Sequence, residues 1–264
     1  MTYVSLSNFD LVIAAGLLLI NGALSLAFRL GLERSLAIAA VRMVVQLGAI
    51  GFVLRFIFAQ TSPAWTVALA LVMVIAAGRE VWARQTNPFK GWWTYGLGTS
   101  TLLFVGILGT VFGVAGLIGP EPWYAARFIL PIMGMMLGNA LTGVSLALET
   151  LTATARRERT AIEARIALGD TRLQALQEAL RQALKTGTMP IINAMAASGI
   201  VALPGMMTGQ ILSGVDPVEA TKYQLLIMFL IAGTTALGVL IATFGGVYLL
   251  TDERHRLRLD RLAG

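Results

Sequence analysis

Two stretches of this chain place thioethers, glycines and an amide in the same order: Gly134-Met135-Met136-Leu137-Gly138-Asn139 and Gly205-Met206-Met207-Thr208-Gly209-Gln210. Each follows a proline, Pro131 and Pro204, and Met133 adds a further thioether ahead of the first. Methionine sulfur is a soft, weak ligand and an amide offers a neutral oxygen. Met133, Met135, Met136, Asn139, Met206, Met207 and Gln210 could therefore line a path along which a metal ion moves. The same residues suit packing. Gly134, Gly138 and Thr142, like Gly205 and Gly209, recur four apart, the stripe that lets helices approach closely, and methionine is an adaptable filler. Pro131 and Pro204 each remove a helix hydrogen bond and favour kinks whose freed carbonyls could face a cavity. On the sequence alone both readings stay open.

Arg42 and Gln46 are the other polar side chains set in apolar surroundings, one helical turn apart on one face. A cation at the bilayer centre costs about 2.5–3.5 kcal/mol by insertion scales. Arg42 is expected close enough to a span end to snorkel, and a place on the transport path stands beside that reading. Glu80 and Glu149, near span ends, are candidate partners.

Other chemistry is excluded by what the chain does not contain. It has no cysteine, and its one histidine, His255, sits in a basic tail, which removes thiolate metal sites, Ser/His proteolysis and His-based zinc hydrolysis. No Gly-x-x-x-x-Gly-Lys-Ser/Thr occurs, so nothing cradles ATP phosphates. Lys90, Lys185 and Lys222 all fall near span ends, so a Schiff-base lysine is missing. The expectation is no catalytic site and no cofactor bound by this chain.

The elements that must position these residues are membrane helices. Of 264 residues 56% are hydrophobic and 13% charged, with mean hydropathy +0.76. A water-soluble domain carries roughly twice that charge. Apolar segments near the roughly 20 residues a bilayer demands predict seven spans, at 11–30, 36–58, 65–82, 95–118, 123–148, 189–213 and 223–250. Basic residues alternate between the connections. Arg29 and Arg34 follow the first span, Arg79, Arg84 and Lys90 the third, a dense set from Arg156 to Lys185 the fifth, and Arg254 to Arg261 the last. The positive-inside rule then places the N-terminus outside and the tail, 251–264, in the cytoplasm. The net charge of +6 is thereby a membrane-orientation signal, and no nucleic-acid partner is expected. The expected fold is all-α, one polytopic transmembrane domain over 1–264.

Between the fifth and sixth segments lies the one long polar insert, 150–187. Leu173, Leu176, Leu180 and Leu184 recur there at helical spacing. Gly169 suits a left-handed helix end and Asp170 or Thr171 the cap of the next helix. The insert thus reads as helix, sharp turn, helix on the cytoplasmic side, either lying on anionic lipid or docking a partner. Glu163-Ala164-Arg165-Ile166-Ala167-Leu168-Gly169 resembles the Glu-Ala-Ala, three residues, Gly signature of the coupling loop in ATP-binding-cassette permeases. That resemblance implies an ATPase-coupling set of Glu163, Ala164, Arg165, Leu168, Gly169, Asp170 and Leu173.

Over nearly its whole length the chain resembles the membrane subunit of the bacterial iron-export ATP-binding-cassette family, similar to plant permeases linked to aluminium tolerance. The resemblance rests on Arg42-Met43-Val44-Val45-Gln46-Leu47, on Pro131 through Ala140 with Thr142-Gly143, on Glu163 through Gly169, and on Leu203-Pro204-Gly205-Met206-Met207-Thr208-Gly209-Gln210-Ile211-Leu212. It implies a homodimer in the bacterial inner membrane. It also implies a separate cytosolic ATP-binding subunit that carries ATP and Mg, and a metal ion or metal complex as substrate. A membrane scaffold that only recruits a partner, and an ion-coupled secondary transporter, remain the alternatives from the residues themselves.

Overall fold

The computed structural model describes residues 7–59 and 62–263. The chain divides into two compact units, Met1–Thr61 and Ser62–Gly264. The first is a helix pair, α1 (Asn8–Ala27) and α2 (Glu33–Phe58). Ser7 and Asp10 cap α1 reciprocally, satisfying two otherwise orphaned N–H groups. Ser25, buried at the turn, donates to Glu33 Oε2 at 2.8 Å and accepts from the Leu32 N–H at 3.0 Å, which ties the pair together.

The second unit holds α3 (Pro63–Ala83), α4 (Trp93–Thr110), α5 (Ala126–Arg157), α6 (Arg159–Ala167), α7 (Arg172–Ala175), α8 (Gln177–Ala197), α9 (Gly205–Leu212) and α10 (Pro217–Leu250). α4 continues as a π-wound stretch, Val111–Ile118, that ends at Gly119 with φ +59°. Starts are written in the sequence: Ser62 with Pro63, and Asp216 with Pro217, each join a capping oxygen to a proline that needs no donor. α5 is the hub, packed on α3, α4, α8 and α10.

Among the described residues, six helices are long and apolar enough to cross a bilayer: Phe9–Ala27, Glu33–Phe58, Pro63–Ala83, Trp93–Ile118, Ala126–Arg157 and Pro217–Leu250. The protein is an all-α, polytopic membrane protein. The expected sixth segment, 189–213, is not one helix. α8 starts inside the polar insert and stops at Ala197. A turn with Gly199 at φ +89° and a Ser198–Ala202 bridge follows, and α9 begins after Pro204. The left-handed backbone at Gly199 interrupts the helical winding, and Pro204, which has no N–H to donate, starts α9 as its N-cap, so the apolar run breaks in two.

The core runs along the bundle in three clusters. Val74, Leu102, Val105, Leu137 and Val144 form one, and Ile129, Met136, Ile191, Ile227 and Ile231 another. The third joins Leu151, Ile162, Leu176, Ala179, Val247 and Leu262. Glycines set the closest crossings. A β-carbon at Gly78 or Gly98 would collide with Thr99 or Val81, and one at Gly246 with Leu151.

Candidate coupling and transport site

α5 has 32 residues, so it is about 48 Å long, well beyond a hydrocarbon core of about 30 Å. Its last turns continue past the expected end of the fifth span and carry the hairpin. Gly169 has φ +102°, the left-handed turn predicted for it, and Thr171 caps α7 reciprocally with Gln174. Arg165 Nε donates to Asp170 Oδ2 at 2.8 Å across the turn, and Arg159 Nε to Glu163 Oε1 at 2.8 Å along α6. Three of the expected coupling residues thus serve to stiffen the turn locally.

The hairpin's apolar side faces protein. Ile162, Ala175, Leu176, Ala179 and Ala183 are buried with Leu151, Val247 and Leu250 at the ends of α5 and α10. Outward it presents Ala164, Leu173 and, at the tip, Leu168, 87% exposed. The four leucines expected to form one stripe divide accordingly: Leu176 is buried and Leu180 and Leu184 half-buried, whereas Leu173 is exposed.

The tail, 251–263, completes this end. Thr251 bridges Leu257, and Leu262 bridges Phe89 in the α3–α4 connection. Arg256 and Arg258 pair with Asp252 and Asp260. Desolvation pushes the Asp252 carboxyl up, but the Arg256 side chain and backbone N–H outweigh it and the group stays below its ordinary range. The Arg258 guanidinium holds Asp260 at about 2. Glu149, one of the candidate partners for Arg42, accepts from the Thr86 N–H at 2.8 Å and so pins the α3–α4 connection to α5.

The intramembrane residues fall in both units. Arg42 and Gln46 lie one turn apart on α2, both exposed, in the first unit, and the other candidates belong to the second. Met133 and Met136 are 4% and 1% exposed. Their thioethers fill the hollows over Gly106 and Gly109, where an added β-carbon would lie 3.3 Å from Met133 Cε and 2.5 Å from Met136 Sδ. Both side chains are packed in the helix core. Met135, Met206 and Met207 are half-buried. Asn139 is exposed and donates to the Met135 carbonyl at 2.9 Å. Gln210 on α9 and Gln224 on α10 each bury a side-chain oxygen that has no hydrogen-bond partner among the described residues.

Within the second unit the glycine stripes meet almost nothing. Gly138, Gly205 and Gly209 meet nothing within 4 Å, and Gly134 meets only Met73 Cε, at 3.2 Å. Spacing four apart makes a smooth strip but does not say which side of the helix receives a neighbour. α5 turns its Gly143 side to α8 and α10 instead. Helix α5 runs unbroken through Pro131, and Pro204 is the N-cap of α9, not a kink within a span. Among the described residues no three His, Asp or Glu side chains gather as a metal site.

Compared with known proteins, the chain matches the Uncharacterised protein family (UPF0014) over residues 8–249. It belongs to this family. UPF0014 relatives include the UPF0014 membrane protein slr1647 of Synechocystis, 35% identical over 231 residues, covering 86% of each chain. Protein ALUMINUM SENSITIVE 3 of Arabidopsis thaliana is 31% identical, over 88% of this chain and 83% of its own. The Probable iron export permease protein FetB of Escherichia coli is 28% identical, over 98% of this chain and 97% of its own. No solved structure gives a significant match. As a UPF0014 member with these apolar helices, the chain is a multi-pass membrane protein.

Sequence reasoning missed Gln224, the Gly143–Gly187 crossing and the folded tail. Gln224 carried a signal, an amide within an apolar segment; the other two depend on which faces meet.

Proposed function

We propose that this chain is the permease subunit of an ATP-binding-cassette transporter that exports iron, or another metal ion or complex, driven by ATP hydrolysed on a separate cytosolic subunit. The observation that carries this reading is the hairpin. A helix resting on lipid would turn its apolar side to the bilayer, but here that side is buried on α5, α10 and the tail, and the exposed apolar group is Leu168 on a stiff glycine turn. A protruding knob of this kind fits a groove in a partner.

Closure of the partner would push on α6 and α7, which are continuous with α5 and α8. Those two helices carry the open residues Gly138 and Asn139 and lead to α9 with Met206, Met207 and Gln210. Packed helices shift as units, so a displacement at the tip reaches this face. The unfilled glycines of α5 and α9 and the exposed mid-helix Asn139 suit a second copy of the chain, with the path between copies. The name of the E. coli relative supports iron as cargo.

The reading is tested by purifying the chain with a candidate ATPase subunit and comparing Leu168→Asp with wild type. Loss of ATPase retention in a chain that still inserts and melts normally is expected. Unchanged retention would remove the hairpin as the docking element.

A further inference from the structure

Where the tail folds back beneath α10 it borders an open cavity of about 640 Å³ on whose wall stand five arginines, Arg172, Arg254, Arg256, Arg258 and Arg261. Two are neutralised. Arg256 binds Asp252 at 2.7 Å, and Arg258 grips Asp260 through two bonds of 2.8 Å. Two more are held by neutral acceptors, which fix the guanidinium without cancelling its charge. Arg261 Nη1 donates to the carbonyls of Leu249 and Thr251 at 2.9 and 3.1 Å. Arg172 Nε donates to His255 Nδ1 at 3.1 Å, and its guanidinium lies 4.8 Å over the Tyr248 ring. The Arg254 side chain is in no ion pair among the described residues. Against these three guanidiniums stand Glu253 on the same wall and Asp260, which already holds Arg258 and lies within electrostatic reach of Arg261. Arg172 and Arg261, fixed in place, together with Arg254 leave an excess of guanidinium over carboxylate around a polar cavity, which suits an oxyanion, and phosphate matches the fork geometry.

A second, mainly apolar cleft, of about 460 Å³, shares Arg261 and is lined by Phe89, Trp93 and Leu249, with Lys90 and Asp260 also on its wall. Arg261 borders both. A cationic pocket and an apolar cleft that meet at one arginine, at the end of a membrane helix where Tyr248 and Trp93 are exposed, have the two-part character of a phospholipid. We propose that the tail, α7 and the end of α10 form a binding site for an anionic phospholipid, with its phosphate held by Arg172, Arg254 and Arg261 and an acyl chain in the Phe89–Trp93–Leu249 cleft. Because Arg172 belongs to the hairpin and Arg261 to the tail, the bound lipid links the two.

The test uses the full-length chain in a neutral detergent, titrated with short-chain phosphatidylglycerol, short-chain phosphatidylcholine, glycerol phosphate and inorganic phosphate, with binding read by thermophoresis and by the shift in melting temperature. Phosphatidylglycerol should bind saturably and raise the melting temperature. Phosphatidylcholine should bind weakly, and salt should weaken the anionic lipid. Arg254→Gln, at an exposed and unpaired side chain, should fold normally and lower phosphatidylglycerol affinity about fivefold, with Arg172→Gln doing at least as much. Equal binding of the two lipids, or unchanged affinity in both variants, overturns the proposal. Inorganic phosphate or glycerol phosphate binding as tightly as the lipid would also overturn it and assign a soluble anion. So would variants that lose the ATPase partner but keep the lipid, which would make the arginines a protein contact.

Discussion

Gly143 and Gly187 face each other across the α5–α8 crossing so closely that the carbonyl oxygen of each lies 2.8 Å from where a β-carbon on the other would sit. Val239 and Thr235 of α10 close the same point. This contact locks the helix leaving the hairpin to the helix entering it.

Gly187→Leu should therefore overpack the bundle and cost about 1–3 kcal/mol or more, seen as a lower melting temperature in detergent. Gly138→Leu, on the same helix as Gly143 but meeting nothing in its unit, should melt like wild type and impair transport or self-association. Equal melting of the two variants would show that the crossing is looser than described.

Gly169→Pro forces φ from +102° to about −65° and must rebuild the turn. ATP hydrolysis by the partner should become independent of transport, while membrane insertion is retained. Tight coupling in this variant would mean that the tip geometry is not what transmits motion.

These positions also show how far the sequence could be read. Spans of α1 through α5 and α10 follow from length and hydropathy, and the Gly169 turn from a residue whose role is local. Met136 and Gly143 could not be assigned, because whether a thioether fills a hollow or lines a path depends on the helix opposite, here α4 with Gly109 and α8 with Gly187. Hydropathy likewise hid the break after Ala197, since Ile200, Val201 and Leu203 keep the run apolar while the backbone turns at Gly199. The tail's arginines concealed its fold, which rests on the less conspicuous Leu257 and Leu262.

Met136→Ala should destabilise the chain by about 2–5 kcal/mol, and Met136→Leu by less than about 1.5, because the side chain fills space over Gly109. The half-buried pair behaves differently in this account. Met206→Leu with Met207→Leu keeps the volume but removes both sulfurs, so metal efflux from loaded vesicles should fall while assembly holds. Normal efflux would return these methionines to packing as well.

Acid should release the tail. Asp252 and Asp260 have folded-state pKa values below the ordinary 3.8, Asp260 at about 2. A depressed carboxylate stabilises above its unfolded value and loses that contribution as pH falls through the folded one. Fluorescence of Trp93, which shares a cleft with Asp260 and Arg261, should hold steady from neutral pH to about 5 and change between 3.8 and about 2. A transition confined to neutral pH would contradict this pairing.

Under the proposed function, the hairpin couples a partner's ATP hydrolysis to metal export. The direct measurement is ATP hydrolysis by the co-purified permease and ATPase in lipid vesicles, with and without iron(II), alongside Leu168→Asp. The account predicts hydrolysis that iron stimulates in wild type and that neither iron nor the permease stimulates in the variant. Metal transport down an ion gradient with no ATP, or identical hydrolysis in both proteins, would contradict it.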